Sequence, residues 1–106
     1  MTRESRKVQW FAVQLPCEFW NNEDKSDGTV LNLSAQGCAM TAEYLPSVST
    51  YVSLDIDLLN GEEPANIELA GVRWVFEHRC GLEFIRVCPD MLMKLKAFAL
   101  LLEHVS

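Results

Sequence analysis

Apolar side chains recur at every second position over much of this chain. Within residues 8–20, Phe11, Val13, Leu15, Cys17 and Phe19 share one parity, the period of a strand with one buried face. Pro16 in that run predicts an edge position or a local break in pairing. Residues 21–28 are polar and hold Asp27-Gly28, a turn signal. Residues 29–33 predict a short strand, residues 34–37 break it, and residues 38–42 resume extended structure. Pro46 and Ser47 belong to a loop. Residues 50–58 alternate again, with Val52, Leu54, Ile56 and Leu58 on one face and Ser53, Asp55 and Asp57 on the other. Asn60-Gly61-Glu62-Glu63-Pro64 is a turn. Residues 67–76 and 79–85 form a further strand pair joined through Glu77-His78. Six or so short strands at this spacing predict a mainly β fold, a small antiparallel six-stranded barrel.

The period then changes. Pro89 suits the first turn of a helix, and Asp90 adds a favourable negative charge there. Residues 91–105 contain no glycine or proline and are rich in Leu, Met and Ala. Leu92, Leu95, Phe98, Leu102 and Val105 form one stripe of a single C-terminal helix over 89–105. Met93, Ala97, Leu100 and Leu101 carry the apolar surface further round the cylinder. That second surface meets another protein or a second copy of the chain, as in a homodimer, or is covered by the barrel itself.

A length of 106 residues implies one domain. With 49% hydrophobic and 23% charged residues the chain can bury a core. No apolar run approaches the roughly 20 residues that span a bilayer. The start, Met1 to Lys7, lacks the apolar region of an export signal, so a cytoplasmic location is expected. The net charge of −6 argues against binding DNA through a broad basic surface. The charge is unevenly spread. Arg3, Arg6 and Lys7 against Glu4 leave the first ten residues at +2 and the remainder at −8. Residues 1–7 are thus expected to be a flexible basic arm ahead of a barrel over 8–86, suited to an anionic ligand or an acidic partner.

Catalytic and metal chemistry find little here. Cys17, Cys38, Cys80 and Cys88 form no Cys-x-x-Cys pair, and His78 and His104 complete no metal-ligand spacing. Reduced, partly buried thiols are expected. There is no nucleophile elbow, no His-Glu-x-x-His and no phosphate loop. The chain is not expected to be an enzyme or to hold a metal.

Asn32-Leu33-Ser34-Ala35-Gln36-Gly37 stands out instead. Two small polar side chains sit two apart and a glycine follows three later. Such a segment can bring backbone and hydrogen-bonding groups up to a polar ligand. It also suits a purely local bend, with Asn and Ser bonding the backbone and Gly taking a positive φ. Farther along, Trp74 is expected in the core, as a large anchor of a small barrel. Arg73 alternates with it and should face solvent.

Laid out this way, the chain resembles the PilZ domain family, whose typical members bind the bacterial second messenger cyclic di-GMP. Four places carry the resemblance. Arg6 precedes an aromatic-led first strand, Trp10 to Pro16. Asn32 to Gly37 fits the pattern Asp or Asn, any residue, Ser, any two, Gly. Residues 70–75, with Gly71, Arg73 and Trp74, followed by Cys80 to Phe84, are similar to the late hairpin of the family. A single helix ends the chain. The other family signature, Arg-x-x-x-Arg before the first strand, is half present: Arg6 matches its first position and Trp10 falls on the second.

The resemblance implies a PilZ-like barrel with a site for cyclic di-GMP. Arg6 and Lys7 would meet phosphate or guanine, Arg6 through its fork and Lys7 as a point charge. Trp10 would stack on a base, a contact worth about 1–3 kcal/mol elsewhere. Asn32 would read a guanine edge, Ser34 would donate its hydroxyl, and Gly37 would let the ligand or the backbone approach. Arg3 and Arg73 are further candidates for charge. Two functions follow as expectations. The first is a receptor that signals to an effector protein through an arm ordered by the ligand. The second is an interaction module that keeps the barrel without the ligand. No cofactor beyond the ligand is implied.

Overall fold

The computed structural model describes residues 9–105. Six strands and one helix follow in order: β1 (Phe11–Asn21), β2 (Asp24–Leu33), β3 (Gly37–Ala42), β4 (Tyr51–Ile56), β5 (Ala65–Phe76), β6 (Arg79–Arg86) and α1 (Pro89–Val105). The strands close into a barrel in the order β1-β2-β3-β6-β5-β4, every neighbouring pair antiparallel. The expected six-stranded barrel with a C-terminal helix is therefore the observed fold.

The alternating positions fill its interior. Leu15, Cys17 and Phe19 from β1 and Val52, Leu54 and Ile56 from β4 are buried, and Leu58 beyond β4 joins them. Pro16 stands where the β1–β4 ladder ends, since that ladder begins at Cys17, so its missing N–H breaks no bond between them. The expected turn at Asp27-Gly28 is not observed. Asn22-Glu23 turns the chain instead, with Asn22 at φ 62, and β2 runs straight through Gly28. Polar residues 24–27 fit a strand here because they pair with the solvated end of β1, Trp20 opposite Lys25 and Lys25 bridging to Glu18 at 3.2 Å.

Cys17, Cys38 and Cys80 lie in this interior as free thiols, and Cys88 is half-buried. Burial, with a smaller push from Cys80, raises Cys17 to about 12. Burial raises Cys80 to about 11 and holds Cys38 well above the ordinary thiol range. All three remain protonated at neutral pH and behave as small hydrophobes.

Helix α1 caps one end. Its first backbone bond runs from the Leu92 N–H to the Cys88 carbonyl, so Pro89, without a donor, sits where none is needed. Leu95 is fully buried in the core and Phe98 packs against it. Burying such a side chain stabilises by about 1.5–3 kcal/mol. Lys94 ties the helix to the β4–β5 loop through the Glu63 carbonyl at 3.1 Å. The outward positions Met93, Leu100 and Leu101 remain exposed, so the barrel does not cover this second apolar surface. Among the described residues no helix is long and apolar enough to cross a membrane.

Candidate functional site

An open cavity of about 520 Å³ lies on the outer wall of the barrel, where β2, β3, β5 and β6 come together. That size falls within the range of small-molecule sites. Trp10, Asn32 and Gly37 line it on one side, Arg73, Trp74 and Glu83 on the other.

Two β-bulges build the cavity. In the β2–β3 ladder Val30 pairs with Met40 but Asn32 pairs with Ala39, which leaves Leu31 as an extra residue. A bulge of this kind shifts which face the following side chain takes. Val30 and Leu33 are both buried, and Asn32 is turned into the cavity. The β5–β6 ladder repeats the device. Val72 pairs with Leu82 and Trp74 with Gly81, so Arg73 is extra. Strict alternation from buried Val72 would send Trp74 inward. The bulge sends it outward instead, and Trp74 is 44% exposed. The expectation of a core tryptophan is corrected on this ground. Its indole lies against Gly81, whose missing Cβ leaves the room it occupies.

The Ser34 bend is rigid and closed. Ser34 is 1% exposed and is the one buried polar side chain among the described residues. Its hydroxyl accepts from the N–H groups of Gln36 and Gly37, at 3.1 and 3.0 Å, and donates to the Gly37 carbonyl at 3.2 Å. One donor and two acceptors are all a hydroxyl has. Its side chain thus shapes the bend and does not line the cavity. Gly37 keeps a φ outside the left-handed region, which Gly61 takes among the described glycines. Its need is close approach: a Cβ there would stand 2.5 Å from the Leu82 carbonyl oxygen. The Phe84 N–H bonds the Gln36 carbonyl at 2.9 Å and fastens the bend to β6.

Trp10, just ahead of β1, is 51% exposed and forms part of the cavity wall. Arg73 is exposed as expected, and its Nε–H donates to Glu83 Oε1 at 2.6 Å. Arg3, Arg6 and Lys7 lie outside the described residues. Of the expected site residues, the structure gathers Trp10, Asn32, Gly37 and Arg73 at one cavity and keeps Ser34 beneath it. Sequence reasoning missed Gln36, Trp74, Gly81 and Glu83 as lining residues. For Trp74 and Gly81 the signal was present. A two-residue turn at Glu77-His78 sets Phe76 opposite Arg79, and counting back sets Trp74 opposite Gly81. Among the described residues no group of side chains could hold a metal ion.

The fold has solved counterparts. The PilZ domain of YcgR from Escherichia coli, solved with c-di-GMP, is similar at a TM-score of 0.76 and 12% identity, over 95% of this chain and 93% of that one. The PilZ domain of CeSA from a cellulose-synthesizing bacterium is similar at 0.70 and 19%, over 91% and 99%. The Bacillus subtilis inhibitor of motility MotI/DgrA is similar at 0.74 and 23%, over 91% of this chain. The chain spans about half of that inhibitor, 49% of its length. No curated protein matches the sequence. The family model described as PilZ domain matches residues 2–101, nearly the whole length, and the chain belongs to the PilZ domain family.

Proposed function

We propose that the protein is a cytoplasmic receptor for cyclic di-GMP, which binds in the cavity between the Ser34 bend and the β5–β6 bulge. The observation that carries this reading is the convergence of Trp10, Asn32, Arg73 and Trp74 on one cavity from separate parts of the chain. Two indoles offer flat faces for guanine, worth about 1–3 kcal/mol per stacked base. The Asn32 amide donates and accepts, as a guanine edge requires. Gly37 and the closed bend present backbone with little side chain in the way.

Charge comes from the N-terminal segment. Among the described lining residues only Arg73 and Glu83 are charged, and they offset one another. Arg6 and Lys7 precede Trp10 by four and three residues, a span of at most about 14 Å. Both can therefore reach a ligand seated against Trp10, with Arg3 farther out. Ligand contacts order that segment, and the ordered segment presents a new surface to an effector protein. The family relation supports this role, as does YcgR, whose domain was solved with c-di-GMP. The protein acts as a receptor and adaptor, with no catalytic step of its own.

One observation favours a second reading, an interaction module that works without the ligand. Met93, Leu100 and Leu101 leave an apolar strip exposed on α1. Calorimetric titration with cyclic di-GMP at stated salt separates the two. The receptor shows saturable binding in the micromolar range or tighter, weakened about tenfold or more in Arg6→Ala and in Asn32→Ala. An absence of heat at high ligand concentration supports the interaction module.

A further inference from the structure

We propose that Arg73 is a phosphate-binding residue of this site and that Glu83 is its positioning residue, one that also sets an affinity penalty; the proposal rests on the cyclic di-GMP reading above. Arg73 is the extra residue of the β5–β6 bulge, and its side chain lines the cavity. The guanidinium carbon lies 3.4 Å from where a Cβ on Gly71 would stand, so the absent side chain there lets it lie close over the strand. Glu83 engages Nε alone, at 2.6 Å. A guanidinium has five N–H donors in a flat fork. Four of them, on the two terminal amino groups, meet no acceptor among the described residues.

Stability alone gives this pair little role. Both side chains are half exposed, and ion pairs at such exposure add little to stability. The arrangement does suit a doubly charged ligand. Nε is anchored on Glu83, and the terminal N–H groups are left open for a phosphate. Trp74 follows directly in sequence and lines the same cavity, so one strand segment offers a phosphate donor next to a stacking face. The price is the Glu83 carboxylate, which repels the anion that Arg73 attracts.

The test is calorimetric titration with cyclic di-GMP of the unaltered protein and of Arg73→Ala, Arg73→Lys and Glu83→Gln, with urea unfolding of each. Arg73→Ala is expected to weaken binding about tenfold or more. Arg73→Lys should fall between, because it keeps the charge and loses the fork. Glu83→Gln keeps an oxygen for the Nε–H and removes the repelling charge. It should therefore bind roughly two- to tenfold more tightly. Unfolding midpoints should stay close to that of the unaltered protein. A merely structural pair would make Arg73→Ala and Glu83→Gln change binding in the same direction, which overturns the proposal. Binding that Arg73→Ala leaves unchanged also overturns it, while the receptor reading stands. Absence of binding by the unaltered protein overturns both.

Discussion

On one side of the cavity, Ser34 and Gly37 are buried and the bend between them is closed by its own hydrogen bonds. On the other side, Arg73 and Trp74 stand half exposed, placed by a bulge, one single-point ion pair and the missing side chain of Gly81. The first wall fixes shape with backbone. The second offers chemistry with side chains that have room to move. A ligand site needs both. A wall without slack cannot adapt to the ligand, and a wall of loose side chains cannot define where the ligand sits. The two glycines show the contrast most plainly. A Cβ at Gly37 would stand nearest the backbone of Leu82, whereas one at Gly81 would stand nearest the half-exposed Trp74 indole.

Four expected outcomes test that contrast. The largest concerns the interior behind both walls. Cys17 and Cys80 are raised to about 12 and about 11 from an ordinary 9.0, and Cys38 is raised well above it. A thiol whose folded value is raised keeps its proton longer when folded than when unfolded. Its contribution to stability is complete below pH 9.0 and is lost as pH rises toward 11 and 12. The unfolding free energy measured in urea should hold from pH 6 to 8 and then fall, by up to about 1.4 kcal/mol per pH unit for each thiol, and the midpoint should fall with it. A midpoint unchanged at pH 10.5 would mean the thiols are not buried as described.

Gly37→Ala comes next. The clash is with main chain, which must shift, so the variant should lose about 3 kcal/mol in urea unfolding. Ser34→Ala should lose about 2 kcal/mol, because the bend N–H groups are left without a partner. Gly81→Ala should cost less than about 1 kcal/mol, since the Trp74 indole can swing away. It should nevertheless weaken ligand binding more than it weakens the fold. If Gly81→Ala proves as destabilising as Gly37→Ala, the two walls are not different in kind.

Most of the barrel was legible in the sequence because alternation reports burial directly. Val52, Leu54, Ile56 and Leu58 were placed inward by period alone, and all four are buried. The helix was legible from Pro89 onward because the apolar period changes there and no glycine or proline follows. Alternation fails at a bulge, because one extra residue reverses every later assignment on that strand. Trp74, expected in the core on its size alone, is carried outward by such a bulge. The bend at Ser34 was legible as a motif, but composition could not say whether its hydroxyl served a ligand or the backbone. Its three hydrogen bonds give the hydroxyl to the backbone. Asp27-Gly28 misled because a glycine in a strand and a glycine in a turn look alike in sequence. Here Gly28 answers the Thr41 carbonyl oxygen, 2.9 Å from where its Cβ would stand.

The central claim is that cyclic di-GMP sits between the two walls, against Trp10 and Trp74. The chain has three tryptophans, and Trp20 lies on β1, where it pairs with Lys25 and Ser53 and takes no part in the cavity wall. Indole N–H signals of nitrogen-15-labelled protein, followed through a titration with cyclic di-GMP, test the claim most directly. The account predicts that the Trp10 and Trp74 signals move and saturate together while Trp20 stays in place. No movement of Trp10 and Trp74, or movement confined to Trp20, would contradict it.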